Sequence, residues 1–289
     1  MSKKSEQKAE IQKDAPAGAL AAYGKYAGRG FEGTTSEDLV TPFVKLLQGL
    51  SPEITDGMEG AKIGMFFNTA SQELIPGNEG IVCVPIKKIH HFVEWRPREA
   101  GGGFVGIHSI NSKEVAAAIA LNGGNRFGKL KTPAKDKDGQ DSGFNDLIES
   151  HDVFVMLLDE TGTRPTGETA VVAFTSTKIK PCKQWWTKIY TLKMPNLPDG
   201  NPAPRPPLFA FRTRIVAFKD PRTSKGVFFN VRCDPFVEGN WFGSLVQDEA
   251  VLDTAVGYLE AFERGTVKPN YEAQTNTDAE DTEGEKVPF

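Results

Sequence analysis

The residues most able to do chemistry in this chain are cations and aromatic rings interleaved over residues 174–232. That stretch carries twelve Lys or Arg: Lys178, Lys180, Lys183, Lys188, Lys193, Arg205, Arg212, Arg214, Lys219, Arg222, Lys225 and Arg232. It carries two acids, Asp199 and Asp220, so it is +10 in a chain whose net charge is −4. The same stretch holds Phe174, Trp185, Trp186, Tyr190, Phe209, Phe211, Phe218, Phe228 and Phe229. Cations neutralise phosphates and release their counterions. Aromatic faces stack on unpaired bases, each worth about 1–3 kcal/mol with little sequence preference. The pairing points to single-stranded nucleic acid.

Read as extended strands, Lys178 and Lys180 share one face, as do Arg212 and Arg214, while Phe209 and Phe211 share the other. Trp185 and Trp186 would then point to opposite sides, one into the core and one out between Lys183 and Lys188. Half of the aromatics are expected to be core. The expected groove is lined by Lys178, Lys180, Lys183, Trp185, Trp186, Lys188, Tyr190, Phe209, Phe211, Arg212, Arg214, Lys219, Arg222 and Lys225.

The chain closes on a second signal. Residues 272–289 hold six acids against Lys286 and finish Val287-Pro288-Phe289. A terminal Pro-Phe arises by chance on the order of once in several hundred sequences. This ending resembles the acidic tail of bacterial-type single-stranded DNA-binding proteins, and of phage proteins of the OB type. The resemblance implies that Asp281, Glu283, Glu285, Val287, Pro288 and Phe289 dock on replication or recombination partners, the Phe ring in an apolar pocket. It also implies a homo-oligomer. Lys286 departs from the purely acidic approach of that family. A tail of this charge could also fold back on a +10 groove until nucleic acid displaces it. A further resemblance runs from Ser176-Thr177-Lys178 to Trp185-Trp186, through 211–220 and 226–230, to Trp241-Phe242-Gly243. It is to tailed-phage proteins described as single-stranded DNA-binding.

Other chemistries lack their residues. Gly123 to Lys129 has the spacing of a phosphate loop, but Leu130 stands where Ser or Thr should bind magnesium, and no strand precedes it. His90, His91, His108 and His151 lack the sequence spacing of metal ligands. His90, His91, Trp95, Arg96 and Arg98 form a weaker cationic-aromatic cluster. No Ser sits in a GxSxG setting. A nuclease would need carboxylates along the DNA path. Asp136, Asp138, Asp141 and Asp146 do not follow a calcium-loop pattern. The expectation is a non-enzyme without metal or cofactor. A virion-associated structural protein is the alternative, and a nuclease or recombinase ranks last.

The elements that must position these residues read as β-rich. Cys83, Cys182 and Cys233 are odd in number and far apart, which predicts free thiols rather than a disulfide framework. The polar N-terminus and the lack of an apolar run of roughly 20 residues predict a cytoplasmic protein with no membrane span. Residues 1–37 read as a flexible basic arm or a plain leader. Residues 38–270 read as the nucleic-acid-binding body, with a polar insertion near 122–142, and 271–289 as a disordered acidic tail. Strands are expected at 64–68, 81–95, 104–107, 153–158, 169–177, 185–194, 208–219 and 226–232. Helices are expected at 114–121, capped by Ser112, and at 248–264, where apolar residues recur at helical spacing. The sum is a β-rich α+β protein, with an OB-like barrel as the preferred architecture.

Overall fold

The computed structural model describes residues 41–135, 140–221 and 228–273. In chain order these form β1 (Val44–Leu46), α1 (Pro52–Thr55), β2 (Phe66–Asn68), β3 (Leu74–Ile75), β4 (Ile81–Trp95), β5 (Phe104–Ser109), α2 (Lys113–Leu121), β6 (Leu130–Lys135), β7 (Asp141–Leu158), β8 (Pro165–Thr175), α3 (Ile179–Tyr190), β9 (Thr213–Lys219), β10 (Phe229–Pro235) and α4 (Glu249–Glu263). β1, β2 and β3 make a small antiparallel sheet. The other seven strands make one large antiparallel sheet.

Two long strands organise that sheet. β4 is rich in β-branched and aromatic residues, β7 ends in the apolar run Val153–Leu158, and the two pair along nearly their full length, from Cys83↔Leu157 to Trp95↔Asp146. Their outer edges are shared between shorter strands. β4 pairs with β9 over Ile81–Cys83 and with β5 from His91 onward. β7 pairs with β6 up to Leu147 and with β8 from Ser150 onward. The spine therefore serves two half-sheets, β10-β9-β4-β7-β8 and β5-β4-β7-β6. Among the described residues the sheet has free ends at β10 and β6 and does not close. The expected barrel gives way to an open sheet covered on both faces.

A bulge sets which side chains face which way. The β4–β7 register shifts between Pro85 and Lys87, and proline, lacking an N–H, is tolerated at such a point. Before the bulge Val82 and Val84 enter one core, Ile86 joins them at the bulge, and after it Ile89, Val93 and Trp95 enter the same core. That core is closed by Val251, Ala255 and Ala261 of α4 and by Tyr271. On the opposite face Ile81 and Cys83, with Val153, Val155 and Leu157 of β7, pack against Cys182, Trp185 and Ile189 of α3. Farther along this face Phe92, Leu130 and Leu147 pack under Val115 and Ala118 of α2.

Local signals account for most boundaries. The Ser112 side chain accepts a hydrogen bond from the Val115 amide, and Asp248 caps α4 through the Ala250 amide. Gly80 holds φ +70°, and a Cβ there would stand 2.3 Å from the Ile215 carbonyl oxygen, so β4 and β9 approach only through a glycine. Three expectations change. The polar stretch 122–142 contains β6 and the start of β7. Residues 185–194 are not a strand, because 179–190 is α3. The body also runs past residue 270: Tyr271 is buried, stacks on Phe104 at 5.2 Å and donates a hydrogen bond to Asp152. Cys83, Cys182 and Cys233 are free thiols buried in the first core, where loss of hydration pushes their pKa values up. No helix among the described residues is long and apolar enough to cross a membrane.

Candidate nucleic-acid interface

α3 sorts the basic aromatic segment. Cys182, Trp185 and Ile189 recur at helical spacing and face the core. Lys180, Lys183, Thr187 and Lys188 are exposed on the other side. Pro181 is accommodated in the first turn, where a missing N–H costs nothing. Trp185 is 1% exposed, while Trp186 is half-buried at the helix flank, with the Lys88 ammonium 5.0 Å from its ring centre. Tyr190 is 74% exposed. Arg205 reaches back to it, its guanidinium 5.4 Å from the ring centre, and donates to the Ile189 and Tyr190 carbonyls at the end of the helix. Lys180, Lys183, Lys188, Trp186, Tyr190, Lys88 and Arg205 thus present cations and ring surface from one helix and its borders.

The remaining expected residues go elsewhere. Lys178 is buried, within the turn that precedes α3, and does not share a strand face with Lys180. Phe211 is buried in the first core, and Phe209 packs against the second. Arg212 donates to the carbonyls of Gly162, Gly243 and Ser244, and burial lowers its pKa. Arg214 donates to the Glu79 carbonyl at 2.9 Å. Both guanidiniums lie over Phe236, at 4.8 and 5.3 Å. Ile215 and Ala217 of β9 face the α3 core, so Arg214 points to the opposite side of the sheet. The single groove expected from the sequence is therefore split: the α3 cations lie on one face, and Arg212 and Arg214 on the other. Lys219 is exposed at the end of β9. Arg222, Lys225, the arm at 1–37 and the tail residues Asp281, Glu283, Glu285, Val287, Pro288 and Phe289 lie outside the described residues.

A second group lies on the α3 side, and sequence spacing hid it. His90 of β4 and His151 of β7 are directly paired in the register, their rings stacked with centroids 4.1 Å apart. Glu149, two residues before His151, shares that face. Its Oε1 lies 2.7 Å from His90 Nε2 and 3.6 Å from His151 Nε2. Arg126, from the loop after α2, brings Nη2 to 3.4 Å from His90 Nε2 and 3.7 Å from Glu149 Oε1. Burial opposes ionisation of Glu149. The proximity of His151 and His90 and the charge of Lys183 outweigh it and hold the carboxyl at about 2. Burial and the neighbouring His151 lower the pKa of His90. The legible trace was Glu149-Ser150-His151, an alternation that on a strand puts both end residues on one face.

The opposite face carries its own polar network. Ser150 and Tyr271 donate to Asp152, and His91 Nε2 lies 3.0 Å from the same carboxylate. Adjacent residues His90 and His91 thus serve different sides of the sheet.

No curated protein and no solved structure matches this chain. The family model described as "Pam3 phage gp34-like protein" matches residues 8–268, which takes in every strand and helix described above. The chain belongs to the Pam3 phage gp34-like protein family.

Proposed function

We propose that this phage-family protein binds single-stranded nucleic acid, DNA in particular, without strong sequence preference. It would serve DNA replication or recombination as a non-catalytic accessory. The observation that carries the reading is the outer side of α3. Lys180, Lys183 and Lys188 stand in solvent beside Trp186 and Tyr190, with Lys88 and Arg205 over those two rings. Phosphates and unstacked bases are the ligand that uses both. An open sheet does not weaken the reading, because the exposed elements lie on a helix. The acidic tail ending in Pro288-Phe289 supports recruitment of partner proteins, and a homo-oligomer would align several α3 surfaces along one strand.

The test is fluorescence-polarisation binding of a labelled oligo-dT strand to the full chain at low and high salt, with a duplex of equal length as competitor. Binding that weakens steeply with salt and prefers the single strand supports the proposal. Salt-independent binding, preference for duplex, or no binding removes it.

A further inference from the structure

We propose that His90, Glu149 and His151 form a binding site for one divalent transition-metal ion of the zinc type, leaving at least one coordination position open. The site does not depend on the nucleic-acid reading above.

Two imidazoles and one carboxylate are a donor set suited to zinc and its neighbours, whereas magnesium and calcium favour oxygen alone. The three donor atoms lie within 4.8 Å of one another. Tetrahedral coordination at about 2.0–2.1 Å sets neighbouring donors roughly 3.3 Å apart. The separations of 2.7 and 3.6 Å from Glu149 Oε1 bracket that value, and metal binding requires the two rings, now stacked with planes 24° apart, to turn so that both lone pairs meet one ion.

An independent observation concerns His151. Its side chain is 4% exposed, and neither ring nitrogen has a hydrogen-bond partner. A buried imidazole whose Nε2 has Glu149 Oε1 only at 3.6 Å, and whose Nδ1 has no hydrogen-bond partner, is unfavourable and needs an explanation. A metal ion on Nε2 would satisfy one of the two nitrogens. The place in the fold is also apt. His90 and His151 pair where the strands flanking β4 and β7 change over, between the core under α2 and the core under α3. Arg126 is the competing cation: its guanidinium borders His90 and Glu149, and its side chain is 38% exposed. It can swing into solvent when an ion enters.

The experiment uses the full chain, stripped with chelator, and titrated with Co²⁺ followed by Zn²⁺. The expected result is one equivalent of Co²⁺ with visible d–d bands, displaced by Zn²⁺, and a thermal midpoint raised by Zn²⁺ but not by equal Mg²⁺. His151 is buried and its substitution endangers the fold, so His90→Asn and Glu149→Gln carry the test, with circular dichroism to confirm folding. Loss of an outer partner to a metal ligand typically weakens binding 10- to 100-fold, so loss of a ligand should cost more than about tenfold. Arg126→Ala should tighten Zn²⁺ binding by removing the competing charge. Absence of saturable binding, affinity unchanged in His90→Asn, weaker binding in Arg126→Ala, or a thiolate-to-cobalt charge-transfer band that places the ion on cysteines would each overturn the proposal.

Discussion

The rings of Trp185 and Trp186 meet edge to face with centroids 5.0 Å apart, one sealed in the core and the other at the border of a cationic helix face. Neighbours in sequence are therefore expected to fail in different ways. Trp185→Ala removes a large buried ring that also packs on Phe174 and should cost about 3–5 kcal/mol of stability, read as a lowered denaturant midpoint. Trp186→Ala should lower the midpoint by less than Trp185→Ala, since its ring is only half-buried, and weaken oligo-dT binding by about 1–3 kcal/mol.

The salt response should trace to α3. Each lysine lost from phosphate contact on a single strand flattens the slope of log K against log salt by about 0.7. Lys180→Ala, Lys183→Ala and Lys188→Ala combined should lower the slope by about 2. A slope equal to that of the unaltered chain would show that the strand runs elsewhere.

Arg212 should behave as a structural residue. Arg212→Ala leaves the carbonyls of Gly162, Gly243 and Ser244 without their charged donor, and should cost about 1–3 kcal/mol in stability. Oligo-dT affinity of the folded protein should hold, because this guanidinium is committed to backbone on the face opposite α3. A large affinity loss without a stability loss would reverse that assignment.

The acidic tail should be separable only if the cut spares Tyr271. A chain ending at Ala273 keeps the Tyr271–Asp152 hydrogen bond, and should bind oligo-dT more tightly than the full chain at low salt, the two converging as salt rises. A chain ending at Asn270 should instead lose stability, since Tyr271 packs on Phe43 and Phe104.

Much of the scaffold could be read from residue types. The strand Ile81–Trp95, the Ser112 cap, the turn between β7 and β8 and the Asp248-capped helix all follow from local grammar. The element that local grammar does not give is α3. Trp185-Trp186 and Ile189-Tyr190 carry strong strand propensity, yet Cys182, Trp185, Trp186 and Ile189 recur at helical spacing, and burial against β8 and β10 decides for the helix. The expected groove fails with it, because strand alternation places Lys178 and Trp185 where helical geometry does not. His90, Glu149 and His151 are not legible as a group for a different reason. Their nearness depends on the pairing of strands about 60 residues apart, and register is a long-range property.

The bulge between Pro85 and Lys87 has a consequence for how this gene can vary. Two histidines stand side by side, and the bulge alone decides which of them meets Glu149 and which meets Asp152. Closing the bulge while keeping all of its residues would slide the later pairs by one position and shift the frame of the strand by half a pleat. It would exchange the two rings and turn Lys88 and Glu94 toward the core now lined by Val93 and Trp95. Loss of the bulged residue alone keeps every later pair, whereas a slip at unchanged length rewrites both faces of the sheet at once. Family members should therefore either keep the bulge or lose it together with one residue, so that the residue facing Glu149 stays the same.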